Sequence, residues 1–131
     1  MAMISPQTPP QRAASLRLAE KGRQLLESKE FEKGLSVLEK SITIDSTNRY
    51  GYYFLAQAHY FLTHYRQSLN FLGSVESKFT EEPRWLARVF ALRGKNYQAL
   101  GFPGKADVSY IKALKLDPHN RVAFERLTEI R

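Results

Sequence analysis

One spacing limits what this chain can fold into more than any other feature. Gly22, Ala56, Gly94 and Thr128 stand at equivalent points of recurring segments: the first and last steps are equal, and the middle step is longer by four. Apolar residues at helical spacing surround each anchor, and roughly ten residues further on a second helical pattern begins. A period of about 34 residues marks stacked helix-turn-helix units, in which each unit leans on its neighbours to bury its apolar face. The longer middle step is the same period plus about one helical turn of ~3.6 residues. That turn is expected at the start of the third unit's first helix, where Trp85 lies.

Punctuation along the chain agrees with this register. Residues 1–11 form a Pro-rich entry without apolar period, expected to be a flexible segment or linker. A first helix over about 12–28 and a second over about 31–44 follow, ended by Asp45-Ser46-Thr47-Asn48, a cluster of turn and capping residues. The second unit repeats the layout over 49–63 and about 65–78. In the third, Thr80-Glu81-Glu82-Pro83 reads as a capping hydroxyl, first-turn acids and an N-terminal proline. Gly101-Phe102-Pro103-Gly104 breaks the next hairpin, Asp117-Pro118-His119-Asn120 closes it, and a last helix over 121–130 stands without a partner. Seven helices and no strand are predicted.

Composition narrows the function classes. The chain has 131 residues, no cysteine and a net charge of +7, so it is of single-domain size and carries no disulfide framework or thiolate metal site. His59, His64 and His119 lack metal-ligand spacing to one another. No apolar run reaches the ~18 residues that a membrane span needs, and Met1-Ala2-Met3-Ile4 is too short for a signal-peptide core. The chain could still be cut from a longer protein. The positive charge is uneven: residues 83–131 carry ten Lys and Arg against four Asp and Glu.

The residues also resemble a known family. Gly94, Tyr97, Gly101, Ala106, Tyr110 and the run Ala113-Leu114-Lys115-Leu116-Asp117-Pro118-His119-Asn120 look like a tetratricopeptide repeat, or TPR. The first unit is similar through Gly22, Leu25, Phe31, Gly34, Leu38, Ser41 and Ile44, and the second through Tyr52, Leu55, Ala56, His59, Tyr65, Ser68 and Leu72. The resemblance implies an all-α, right-handed superhelical solenoid over residues 12–131. It would have repeats at about 15–48, 49–82 and 87–120 and a capping helix at 121–131. It also implies a concave groove, lined by the first helix of each pair, that binds peptides or partner proteins.

Spacing from the small anchors assigns inward-facing positions. The middle unit offers Tyr50, Tyr53, Phe54, Gln57, Tyr60 and Phe61, although Tyr52, Leu55, Ala56 and His59 already serve packing. A helix apolar on every side is either buried all round or presents a binding surface. Arg23, Arg88 and Lys95 are expected to flank this patch, suiting a partner segment with apolar anchors and an acidic group. Trp85 either extends the wall or packs at the repeat junction.

One TPR subclass grips the acidic C-terminal tail of heat-shock chaperones with Lys and Asn side chains. Here Ala19, Arg23, Phe54, Arg88 and Leu92 occupy the positions where that grip has Lys, Asn, Asn, Lys and Arg, so the chaperone-tail reading is disfavoured.

Catalytic readings are weaker. Gly101-Phe102-Pro103-Gly104-Lys105 lacks the spacing of a phosphate loop and the strand before it. His59 lies on the packing face as a core histidine, and no triad, carboxylate pair or metal cluster assembles. The expectation is a protein-protein interaction module or scaffold, without enzymatic activity, cofactor or metal. Two other readings stand beside it: the basic last third binds nucleic acid or an anionic membrane, or the aromatic patch drives self-association.

Overall fold

Prolines open three of the helices, because at the first helical position the ring supplies a helical φ and no amide is missed. In the computed structural model, which describes residues 4–129, α1 runs Pro10–Glu27, α2 Phe31–Ile44, α3 Arg49–Phe61 and α4 Tyr65–Val75. A 3-10 turn Glu76–Phe79 follows, then α5 Pro83–Ala99, α6 Pro103–Leu116 and α7 Arg121–Thr128. Among the described residues there is no strand. The expected end of the last helix, Ile130, lies outside them.

The register survives in the backbone. Helices α2, α4 and α6 begin at Phe31, Tyr65 and Pro103, so the second step again exceeds the first by four. The residue two places before each has positive φ: Lys29 at 62°, Thr63 at 65° and Gly101 at 84°. The starts of α3 and α5, Arg49 and Pro83, lie one regular period apart, whereas their ends, Phe61 and Ala99, are separated by the longer step. The four extra residues therefore lengthen α5, whose first turn carries Trp85.

Three boundaries differ from expectation. The first helix starts at Pro10, not near residue 12, because Pro9-Pro10 sets up a helix start instead of extending the linker. The fourth helix stops at Val75, and the chain tightens into the 3-10 turn that buries Phe79. Thr80 is not the cap of α5: its hydroxyl donates 3.4 Å back to the Ser77 carbonyl, and the acids precede the first turn.

The chain divides into two compact units, 1–71 and 72–131, with the boundary inside α4. In the first, α1 and α2 pack on each other and both meet α3. Gly22 lets them close, since a Cβ there would collide with the Leu38 side chain. The same two helices are joined by reciprocal buried hydrogen bonds. Ser15 Oγ donates to the Ser41 carbonyl at 2.7 Å, and Ser41 Oγ donates to the Ser15 carbonyl at 2.8 Å. Asn48, the N-cap of α3, donates to Ser15 Oγ at 2.9 Å and accepts from the Gly51 amide.

In the second unit α5 packs on α6, and both meet α7. Its core holds Ala87, Phe90, Ala91, Ala106, Tyr110, Ala113 and Ala123. Gly94 does here what Gly22 does earlier: any Cβ would strike the Tyr110 ring. The buried Tyr110 hydroxyl donates to Gln98 at 2.7 Å, so its polar end is satisfied.

Candidate functional site

The aromatic content of α3 partitions by depth. Tyr50, Tyr53 and Phe54 are buried, whereas Gln57 and Tyr60 are half-buried and Phe61 is 36% exposed. Tyr53 and Phe54 meet edge to face at 5.2 Å. Towards the end of α3, Tyr60 lies 5.7 Å from Phe61 and 5.8 Å from Tyr65. Phe61 stacks on Phe31, at the start of α2, with centroids 4.7 Å apart and planes 16° apart. The accessible part is thus the C-terminal turn of α3 with Phe31 beneath it.

Arg23 belongs to a local ion cluster. Its Nε donates to both Glu20 carboxylate oxygens at 3.1 Å, and its Nη1 reaches Glu27. These hydrogen bonds lower the Glu20 pKa and raise that of Arg23. The three residues together carry one net negative charge, so the basic rim expected at this point is neutralised within α1. Spacings of three before and four after place both acids beside the arginine, a signal that reading positions singly passed over.

The other two expected cations lie in the second unit. Arg88 is exposed and its guanidinium sits 4.6 Å over the Trp85 ring, which stacks on Phe79 at 5.4 Å. Lys95 is half-buried, and burial, then the Arg126 charge, lowers its pKa. Of the chaperone-grip positions, Ala19, Phe54 and Leu92 are buried apolar side chains.

His59, expected in the core, is half-buried with its ring stacked on Phe71 at 5.3 Å. Its Nδ1 lies 3.1 Å from Nδ1 of His64. Burial, then the neighbouring His64 charge, lowers the His59 pKa, with Glu39 acting in the opposite sense. Among the described residues, no group of three or more His, Asp or Glu side chains could hold a metal ion. No described helix is long and apolar enough to cross a membrane.

No protein-family model matches the sequence, and no curated protein matches it. Solved structures do. The first TPR domain of human RPAP3 superposes with a TM-score of 0.77 at 21% identity, covering 88% of this chain and 88% of that one. The Arabidopsis OM64 TPR domain gives 0.76 at 22% identity, covering 89% and 96%. The second TPR domain of human RPAP3, in complex with the HSP70 peptide SGPTIEEVD, gives 0.74 at 18% identity, covering 90% and 95%. With its helical hairpins recurring on one period and a further helix after them, this chain has the fold of a tetratricopeptide-repeat domain.

Proposed function

We propose that this chain is a protein-interaction module that docks a partner segment against the aromatic face of α3. Tyr50, Tyr53 and Phe54 form the buried base of that face, and Gln57, Tyr60 and Phe61 make the contact. The observation that carries the reading is the Phe31–Phe61 stack, with Phe61 36% exposed beside the half-buried Tyr60. Aromatic side chains offer large, rigid contact area with a polar handle, which is why they anchor interfaces. The RPAP3 neighbour that holds a peptide supports peptide recognition as the type of activity.

The partner chemistry differs from that of an EEVD tail. Ala19, Phe54 and Leu92 offer no hydrogen-bond donors for carboxylates, and Arg23 is already matched by Glu20 and Glu27. Apolar anchors therefore dominate affinity.

A pull-down comparing the intact chain with a Tyr60→Ala, Phe61→Ala variant tests this reading. The expected outcome is loss of the partner from the variant, with capture by the intact chain persisting as salt is raised. An unchanged set of recovered proteins would sink the proposal. Collapse of binding with salt would favour a phosphate-bearing ligand instead.

A further inference from the structure

The second unit carries a groove that the α3 reading does not use. It lies between α5 and α6, has a volume of about 290 Å³, and is lined by Phe90, Tyr97 and Val108 with Arg93, Lys105 and Lys112. The three cations converge on its aromatic rings. Arg93 and Lys112 sit 5.5 and 5.4 Å from the Phe90 centroid, and Lys105 sits 5.7 Å from that of Tyr97. Among the described residues, one ion pair answers them: Glu76 meets Arg93 at 3.4 Å. Among the described residues, Lys105 and Lys112 make no ion pair, and both are exposed. Val108, 55% exposed, adds an apolar wall.

We propose that this groove binds an acidic peptide segment of a partner protein, seating one apolar side chain against Val108 and the rim of Phe90 between flanking carboxylates. Charge complementarity sets the sign of the partner. Three like charges around one small groove repel each other, and carboxylates placed between Lys105 and Lys112 relieve that repulsion. The aromatic faces argue against a nucleic acid. Phe90 and Tyr97 are covered by cations and so are not open for base stacking, the usual anchor of single strands. The volume is also near the lower end of ligand pockets, roughly 300 Å³, suited to a side chain or two. All of the lining residues belong to the second unit, so the inference stands apart from the α3 reading.

Fluorescence anisotropy of the full chain, with a fluorescein-labelled Glu-Glu-Leu-Glu-Glu peptide at ~0.15 M salt, tests the proposal. Saturable binding is expected, falling at least ~10-fold in Lys105→Glu, Lys112→Glu, which corresponds to about 1.4 kcal/mol. The milder Lys105→Gln, Lys112→Gln pair should lose several-fold, as should Val108→Asp and a peptide with Ser in place of Leu. Affinity that falls in Phe61→Ala but not in Lys105→Glu, Lys112→Glu would place the peptide on α3 and overturn the assignment. Absence of saturable binding, or affinity unchanged in the Lys105→Glu, Lys112→Glu variant, would overturn the assignment. So would an oligothymidylate that binds more tightly than the peptide and loses affinity in the same variant.

Discussion

His59 and His64 meet Nδ1 to Nδ1 at 3.1 Å across the turn that joins α3 to α4. The backbone holds them there, because the His64 amide donates to the His59 carbonyl at 2.8 Å. The equivalent turns pair Leu25 with Glu30 and Tyr97 with Phe102 through the same backbone bond. Side chains at these two positions usually make an apolar contact that closes the helix end. Two imidazoles can replace that contact only while at least one Nδ1 lacks a proton to accept from the other.

That constraint makes the pair sensitive to acid. Burial and the His64 charge lower the His59 pKa, against a smaller opposing effect of Glu39 on α2. The unfolded chain therefore binds a proton more readily than the folded one as pH falls through the ordinary histidine range near 6.5. Stability present above that range is expected to fall as pH drops through it towards the lowered folded value. Thermal unfolding followed by circular dichroism at successive pH values checks this, with His64→Asn as the comparison. The substitution should flatten the acid-side loss, and an identical pH profile would refute the argument.

The hydroxyl pair between α1 and α2 gives a second expectation. Ser41→Ala removes the donor to the Ser15 carbonyl and one acceptor of Asn48 Nδ2, all buried. The cost should be about 1–3 kcal/mol, the penalty of leaving buried polar groups unmatched. At equivalent places the third repeat has Ala87 and Ala113, both fully buried, with Asn120 retained as the cap of α7. The interface can thus close without hydroxyls. The double variant Ser15→Ala, Ser41→Ala should consequently cost less than the sum of the single ones, a coupling measurable by denaturant titration.

These residues also show what could be read before the structure and what could not. The register placed Gly22 and Gly94 at equivalent points, and the structure adds what each of them meets, Leu38 and Tyr110. The lengthening of α5 followed from the register. The depth of α3 was less legible. Periodicity assigned Tyr50, Tyr53, Phe54, Tyr60 and Phe61 to one surface, but burial separates the first three from the last two. The pairing of Arg23 with Glu20 and Glu27 depends on rotamers, and the groove over Phe90 depends on how α6 lies along α5. Spacing within α1 signals the first of these; no spacing within one helix signals the second.

Close helix approach predicts a contrast among glycines. Gly94→Ala should destabilise the second unit by about 1–3 kcal/mol, the usual cost of overpacking, because the buried Tyr110 ring has little room to yield. Gly104→Ala in the first turn of α6 faces open space. There the better helix propensity of alanine should stabilise by up to ~1 kcal/mol. Opposite shifts of the two denaturation midpoints would support this account; a loss at Gly104 equal to that at Gly94 would contradict it.

The three turns with positive φ provide the last test. Gly101 adopts φ 84° without penalty, whereas Lys29 and Thr63 reach 62° and 65° with a Cβ present. Left-handed backbone costs an ordinary L-residue roughly 1–2 kcal/mol, and Thr63 is β-branched, which aggravates the clash. Thr63 is exposed, and no side-chain hydrogen bond of its own offsets that strain among the described residues. Glycine would remove the strain but adds about 0.5–1 kcal/mol of unfolded-state entropy. Thr63→Gly is therefore expected to stabilise by roughly 1 kcal/mol net, and Lys29→Gly by less, since lysine lacks the branch. Gly101→Ala should move the other way by a similar amount. Because Thr63 precedes His64, Thr63→Gly should also leave the pH profile of the histidine pair in place, provided the backbone bond from His64 to His59 is kept. Denaturation midpoints measured above and below the histidine range would show both effects: a uniform gain from glycine, with the slope against pH unchanged.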